Sequence, residues 1–174
     1  DLAAQAPLVR TLIRLVQRFG QKYWAAKQAR GLVDFSDLEH LALAVLREKG
    51  EDGQEEEAVF PSDLYRPSAV ALAYREQFEE VLVDEYQDTN LVQEAILSLI
   101  SRGNNLFMVG DVKQSIYRFR LADPQLFLDK YKAFTSTGKG PGMRLNLARN
   151  FRSRKEVLDG VNYLFFQLMD EEVG

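Results

Sequence analysis

Two adjacent carboxylates follow a short apolar run near the middle of the chain. Val81-Leu82-Val83 leads directly into Asp84 and Glu85, and the sequence continues Tyr86-Gln87-Asp88-Thr89-Asn90. Such a run predicts a buried strand of a parallel sheet, and ligands of these sheets bind beyond the carboxyl ends of the strands. There one carboxylate could hold a metal ion on a nucleotide phosphate while its neighbour orients or deprotonates a water. The alternative is a strand end whose two acids face solvent.

A second group of polar and aromatic residues follows the next apolar run, Leu106-Phe107-Met108-Val109. It extends from Gly110 to Arg120. Gln114 in this turn can sense the terminal phosphate of a nucleotide or hold the attacking water. Phe119, between Arg118 and Arg120, suits a platform on which a nucleic-acid base stacks beside phosphate contacts. An exposed turn can have the same composition, but the position at a strand end favours the functional interpretation.

A third cluster, Leu145-Asn146-Leu147-Ala148-Arg149-Asn150-Phe151-Arg152-Ser153, lies further along the chain. Arg152 could act as an arginine finger on the γ-phosphate of a nucleotide, and Phe151 could stack on its base. The structural alternative is that Arg152 caps the following helix or pairs with an acidic group on the surface.

The elements that would position these groups predict an α/β fold of about three parallel strands flanked by helices. Helical spacing of apolar residues predicts helices over residues 7–30, 36–48, 68–78, 91–101, 124–134 and 155–169. We expect Ser36 or Asp37 to cap the second helix and Asp88 or Thr89 to cap the fourth. Strands are expected at residues 81–83, 106–109 and 143–147. The first two enclose a helix, and such a βαβ unit places Asp84, Glu85 and the turn at 111–115 at one sheet edge.

Composition excludes several classes of site. The chain has 174 residues, of which 46% are hydrophobic, and it contains neither an apolar run long enough to span a membrane nor a signal-peptide pattern. The absence of cysteine excludes disulfides and thiolate metal sites and fits a reducing compartment such as the cytoplasm. The only histidine, His40, lies in a helical pattern, so histidine triads and HExxH zinc sites are excluded.

The net charge of −4 conceals an uneven distribution. Residues 110–155 carry 11 Lys or Arg and 3 Asp, whereas the rest of the chain carries 11 basic and 23 acidic residues. A basic segment of this kind can bind nucleic-acid phosphates within an acidic protein, although a solvated basic face is the alternative. Residues 49–63, which include three consecutive glutamates, predict a solvated acidic loop.

Taken together, the three clusters resemble the ordered motifs of UvrD/Rep-like DNA helicases of superfamily 1. Residues 83–90, Val-Asp-Glu-Tyr-Gln-Asp-Thr-Asn, resemble the Walker B box or motif II of that family. Residues 109–120 resemble motif III, and Asn150-Phe151-Arg152-Ser153 resembles motif IV. Val33-Asp34-Phe35-Ser36-Asp37-Leu38 is similar to the DFxDL segment that precedes motif II. Within the family, residues 117–124 and 147–152 are most similar to the AddA-type subunits of bacterial AddAB helicase–nucleases.

The resemblance implies a role for each matching residue. Asp84 would help to hold Mg²⁺ on ATP, Glu85 would activate the attacking water, and Arg152 would be the arginine finger. The other roles carried over are coupling of the γ-phosphate to the DNA site for Gln114, membership of the same coupling loop for Arg120, DNA stacking for Phe119 in place of the usual tryptophan, and stacking near adenine for Phe151 in place of the usual tyrosine. Both aromatic replacements keep the π-face that stacking requires.

The resemblance also implies a larger enzyme. No GxxxxGK[ST] phosphate-binding loop is present, because Gly138-Lys139-Gly140 lacks the following serine or threonine. We therefore expect an interior segment of a helicase–nuclease that unwinds DNA for double-strand break repair, with an AddB-like partner protein. The segment alone should not hydrolyse ATP, and its uncovered apolar faces favour self-association.

Residues 1–66 would form part of a helical 1B-like subdomain and residues 67–150 part of the RecA-like motor domain 1A. Residues 151–174 would lead into the second motor domain. Three other interpretations stay open. They are a RecB-type or UvrD-type helicase, a catalytically silent DNA-binding module of the same shape, and an unrelated Mg²⁺-dependent phosphohydrolase built on the two acids. The last leaves the second and third clusters unexplained.

Overall fold

The structure, a computed structural model, describes residues 2–48, 65–117, 119 and 121–169. The predicted acidic loop at 49–63 lies outside these residues, as do Arg118 and Arg120. The chain divides into two compact units, Asp1–Lys132 and Ala133–Gly174. In the described part of the chain, no helix is both long and apolar enough to cross a membrane.

Six α-helices and two β-strands occur in the described residues, in the order α1 (Leu2–Ala29), α2 (Phe35–Leu46), α3 (Ala69–Gln77), β1 (Val81–Val83), α4 (Leu91–Ile100), β2 (Leu106–Met108), α5 (Pro124–Ala133) and α6 (Lys155–Leu168). Two short 3₁₀ helices, Tyr86–Asp88 and Val112–Gln114, follow the two strands. All six predicted helices are confirmed, with ends that differ from the predicted ones by a few residues, because each carries a helical repeat of apolar residues.

The predicted helix caps are wrong by one or two residues. Asp34, and neither Ser36 nor Asp37, caps α2: its side chain accepts a hydrogen bond from the Asp37 N–H, and the Asp37 carboxylate accepts one from the Asp34 N–H. Asn90 and Gln93 form the same reciprocal capping box at the start of α4. A capping box needs acceptors at the cap and three residues later, and only these pairs supply both.

The sheet has two parallel strands in the described residues, with Val81 opposite Leu106 and Val83 opposite Met108. The βαβ unit formed by β1, α4 and β2 is therefore confirmed, but the third strand predicted at residues 143–147 is wrong. In that segment the only pairing is an isolated parallel bridge between Thr135 and Met143. A strand exists only against a partner backbone, and the second unit offers this one bridge.

One face of the two-stranded sheet is uncovered, which corrects the expectation of strands buried on both faces. Val81 is buried, whereas Leu82 and Phe107, paired neighbours on the opposite face, are 69% and 54% exposed. Side chains alternate across a strand, so one face can be buried while the other stays open.

The core lies between three helices. Its buried members come from α2, α3 and α4 and are Leu43, Leu46, Ala71, Ala95 and Leu99. Arg75 of α3 closes the carboxyl end of α4, since its guanidinium donates to the carbonyl oxygens of Ser98 and Leu99. The helix that follows the first acidic cluster is thus held rigidly at both ends.

The α1–α2 junction contains an ion-pair cluster that predicts a pH dependence. The Lys27 ammonium donates to Asp34 at 2.8 Å and to Asp37 at 2.5 Å. The hydrogen bond from Lys27 is the main reason that the pKa of Asp34 falls from its ordinary value of 3.8 to about 2. A lowered carboxyl pKa stabilises the fold above the ordinary value, and that stability is lost as the pH falls through the folded value.

We therefore expect the free energy of unfolding to fall between pH 3.8 and about 2, partly through Asp34. Asp34→Asn keeps an oxygen that can cap α2 but removes the titration. Urea unfolding across this pH interval should show a shallower decline for Asp34→Asn than for the parent chain. Equal declines in the two proteins would contradict the assignment.

Candidate functional site

The first acidic cluster lies at the carboxyl end of β1, as the βαβ pattern predicts. The Val83 carbonyl oxygen accepts a hydrogen bond from the Val109 N–H at 2.8 Å, and the Tyr86 N–H donates to the Val109 carbonyl oxygen at 2.9 Å. Between these two backbone links, Asp84 and Glu85 are exposed at the edge of the sheet. Asp84 Oδ1 accepts the Glu85 N–H at 2.9 Å, which orients the Asp84 carboxylate.

Glu85 has a left-handed backbone conformation, with φ 51° and ψ 41°. For a residue with a Cβ this conformation costs about 1–2 kcal/mol, so it persists only where surrounding contacts enforce it. Here the strand hydrogen bonds end before Glu85 and the 3₁₀ helix begins after it. The left-handed turn directs the chain from the strand into that helix and leaves Glu85 at the sheet edge.

The second cluster is organised around Asp111 at the end of β2. Asp111 Oδ2 accepts a hydrogen bond from Gln114 Nε2 at 3.2 Å, and its Oδ1 accepts the Lys113 N–H at 3.1 Å. These bonds, first of all the one from Gln114, lower the pKa of Asp111, although partial burial opposes them. A charged Asp111 is a better acceptor, so it holds the Gln114 side chain on the exposed turn.

Gln87 joins the two clusters, and sequence reasoning missed this residue. Its Nε2 donates to Glu85 Oε2 at 2.7 Å, and its Oε1 accepts the Asp111 N–H at 3.0 Å. The structure thus brings Asp84, Glu85 and the turn carrying Gln114 together at one edge. No local signal marks Gln87, because its partner Asp111 lies 24 residues away along the chain.

Tyr86 anchors the first cluster to the helices behind it. Its hydroxyl donates to Glu94 Oε2 at 2.7 Å, and Glu94 Oε1 also lies 2.7 Å from the Lys130 ammonium. Burial, and then the hydrogen bond to the Glu94 carboxylate, raises the pKa of Tyr86, so the hydroxyl stays protonated and donates. The chain between Glu85 and Gln87 is therefore tied to both α4 and α5.

Tyr86→Phe should lower the free energy of unfolding by about 1.5–2 kcal/mol, since it removes a hydrogen bond to a buried carboxylate. Urea denaturation measures the loss. Tyr74→Phe is the matched control, because the Tyr74 ring is stacked on Phe78 and 39% exposed. A loss at position 86 no larger than that at position 74 would contradict the anchoring role.

An open cavity of about 450 Å³ adjoins the first cluster and is lined by Asp84, Glu85, Asp88, Thr89, Gln93 and Ile96, among others. Its size suits a small ligand. A larger cavity, about 720 Å³, lies near Glu80 and Asn105, where the strands begin. Ligands of parallel sheets bind at the carboxyl ends of the strands, so we assign the candidate site to the cavity at Asp84.

The residues of this cavity fit a hard divalent cation. Asp84 presents an exposed carboxylate, and Asp88 Oδ1 is buried without a hydrogen-bond partner in the described part of the chain. No group of three or more metal-binding side chains occurs among the described residues. Mg²⁺ suits such a sparse set, because it usually binds through one or two carboxylates together with waters and substrate phosphates.

Phe119, the proposed stacking residue, is 76% exposed, and its ring centre lies 5.8 Å from that of Tyr117. Leu121 follows with a left-handed backbone, φ 65°. The Asp123 N–H then donates to the Thr89 carbonyl oxygen at 3.0 Å. The segment carrying the aromatic pair thus returns to the end of the first cluster.

In the second unit, Phe151 and Arg152 are exposed on the segment before α6. Asn150 Oδ1 accepts hydrogen bonds from the N–H groups of Arg152 and Ser153, both at 2.9 Å. Arg154, and not Arg152, is the cap residue of α6, and it makes no side-chain capping bond. The prediction that Arg152 might cap the next helix is therefore wrong, and its side chain is exposed to solvent.

Comparison with known families decides the assignment of this arrangement. The model of the UvrD/REP helicase N-terminal domain matches residues 5–135. The chain belongs to the UvrD/REP helicase family. In this UvrD/REP helicase chain, the mixed, helix-rich fold with a two-stranded parallel sheet is consistent with part of that domain.

The chain is similar to AddA proteins, the A-type components of ATP-dependent helicase/nucleases. It is 59% identical over 172 residues to the one from Geobacillus kaustophilus and 54% identical over 178 residues to those from Bacillus mycoides and Bacillus anthracis. These alignments cover 97% and 100% of the chain but only 13% and 14% of the relatives. The UvrD/REP segment is thus about one seventh of the length of those proteins.

Proposed function

We propose that this UvrD/REP helicase segment forms part of the ATP-hydrolysing motor of a DNA helicase–nuclease. The motor translocates on DNA and unwinds it for double-strand break repair and recombination. The observation that carries the proposal is the hydrogen-bonded path from Glu85 through Gln87 to Asp111 and Gln114. It links an exposed acid pair to a second polar turn at the ligand-binding edge of a parallel sheet.

In this proposal Glu85 is the general base. Its carboxylate accepts a proton from the water that attacks the γ-phosphate, and the left-handed turn and Gln87 set its direction. Gln114 contacts the γ-phosphate from the neighbouring turn. When bound, Mg²⁺ neutralises phosphate charge, and Asp84 is the carboxylate that would hold it.

The DNA-binding part of the proposal rests on the turn that continues from Gln114. Phe119 supplies an exposed ring on which a base of single-stranded DNA stacks, and Arg118 and Arg120 supply charge for the phosphates. Because this turn begins at the residues that contact ATP, binding of DNA can change the geometry of the nucleotide site. Phe151 and Arg152 are proposed to contact the adenine and the γ-phosphate.

The finer architecture is part of the same proposal. Residues 67–150 belong to a RecA-like motor domain, whose further strands would cover the exposed face of Leu82 and Phe107. Residues 1–66 belong to a helical 1B-like subdomain, and residues 151–174 lead to the second motor domain. The partner is an AddB-like protein, single- and double-stranded DNA are the substrates, and the compartment is the cytoplasm.

ATP hydrolysis with and without single-stranded DNA tests the proposed function. The measurement compares the chain as given with a chain extended to the length of its relatives, which would include a GxxxxGK[ST] loop. We expect no hydrolysis by the 174-residue chain and DNA-stimulated hydrolysis by the extended one. An extended chain that binds DNA but never hydrolyses ATP would instead identify a helicase-shaped binding module.

A further inference from the structure

Gln87 is a buried residue whose side-chain amide is fully used between two functional elements. It is 1% exposed, in contrast to the exposed Glu85 and Gln114. Its two side-chain polar atoms contact Glu85 and Asp111, and its carbonyl oxygen accepts a hydrogen bond from Ser115 Oγ at 3.4 Å. Burial together with these partners fixes the amide in one place.

The direction of the Gln87 amide follows from its partners. The Asp111 N–H can only donate, so it requires the amide oxygen, and the amide nitrogen must then face the Glu85 carboxylate. A flipped amide would place two donors and two acceptors against each other. The bond to Glu85 is thus a consequence of the turn that begins at Asp111.

Gly110 leaves the space that the amide occupies. A Cβ at this position would lie 2.5 Å from Gln87 Oε1 and 3.1 Å from the ring of Phe127. The backbone can approach Gln87 closely enough for the hydrogen bond from Asp111 only because position 110 has no side chain. The three residues form one closely packed unit.

We infer that Gln87 is a positioning residue that aims the Glu85 carboxylate and makes its direction depend on the Asp111–Gln114 turn. The inference rests on the proposed function, in which Glu85 accepts a proton from water. In the described part of the chain, the only hydrogen bond to the Glu85 side chain comes from Gln87. Movement of the turn therefore reaches the base through this amide.

The energetic reason is geometric. An exposed glutamate samples several rotamers, and proton transfer requires one of them. A neutral amide takes no proton itself, so Gln87 acts on rate through orientation alone. Misplacement of a reacting group by about 1 Å can lower a rate by about 10²-fold, and a loss of that size is expected when the amide is removed.

The test uses the extended chain with saturating single-stranded DNA. Gln87→Met keeps the length of the side chain but removes donor and acceptor, and Gln87→Asn keeps the amide but shortens its reach. Gln17→Met, on the exposed surface of α1, is the matched control. We expect kcat for ATP hydrolysis to fall about 10²-fold in both Gln87 variants while KM for ATP stays within about threefold.

A double-mutant cycle with Glu85→Gln separates positioning from general stabilisation. If Gln87 acts through Glu85, its substitution should change the single-turnover rate little once Glu85 is already replaced. Losses of equal size in both backgrounds, or a rise in KM with kcat unchanged, would overturn the inference. If Gln87→Met does not fold, Gln87→Asn decides between the same outcomes.

The same cycle distinguishes failure of the inference from failure of the proposed function. If Glu85→Gln alone leaves kcat unchanged, Glu85 is not the base and the proposed function is overturned together with the inference. If Glu85→Gln is inactive while both Gln87 variants hydrolyse ATP at the parent rate, only the positioning role is overturned.

Discussion

Glu85→Gln is expected to lower DNA-stimulated ATP hydrolysis of the extended chain by about 10²–10⁴-fold, the usual contribution of a general base. The amide has nearly the same shape as the carboxylate but cannot accept a proton from water. It can still accept the hydrogen bond from Gln87 through its oxygen, so the turn should keep its geometry. The loss should therefore appear in kcat, with little change in KM for ATP.

Glu80→Gln is the matched control, because it makes the same chemical change just before β1, at the opposite end of the strand. Its ATP hydrolysis should equal that of the parent. Thermal unfolding of both variants checks that the fold is intact. If Glu85→Gln retained hydrolysis within about threefold of the parent, another group would be the base.

The largest effect on stability is expected from Leu99→Ala, which should lower the free energy of unfolding by about 3 kcal/mol. Leu99 is 1% exposed and packs in the core between α2, α3 and α4. Two of its core neighbours are alanines, Ala71 and Ala95, whose short side chains cannot move to fill the space. The cavity therefore adds its own cost to the lost burial of the leucine side chain.

Leu41→Ala removes the same atoms from α2 at a position that is 46% exposed. Urea denaturation of both variants should show a loss for Leu41→Ala of at most about 1 kcal/mol. Similar losses at the two positions would mean that the three-helix core does not dominate the stability of the first unit.

Local sequence was enough to specify the helices and the order of the functional groups. Helices α1 to α6 follow apolar repeats that lie within a few turns of chain, so the spacing of neighbouring residues predicted them. The parallel pairing of β1 with β2 was also predictable, because a strand–helix–strand sequence of this length has essentially one favourable closure. That closure places Asp84, Glu85 and the turn of Gln114 at one edge.

The contacts that operate at that edge depend instead on how distant segments pack. The bond between Gln87 and Asp111 joins groups 24 residues apart, and the carboxylate of Glu94, which Tyr86 contacts, is also paired with Lys130 on α5. The uncovered face of Leu82 likewise depends on what packs there, and residues 143–147 form no strand because pairing needs a partner backbone. Such contacts form after distant segments have met, so no pattern of neighbouring residues encodes them.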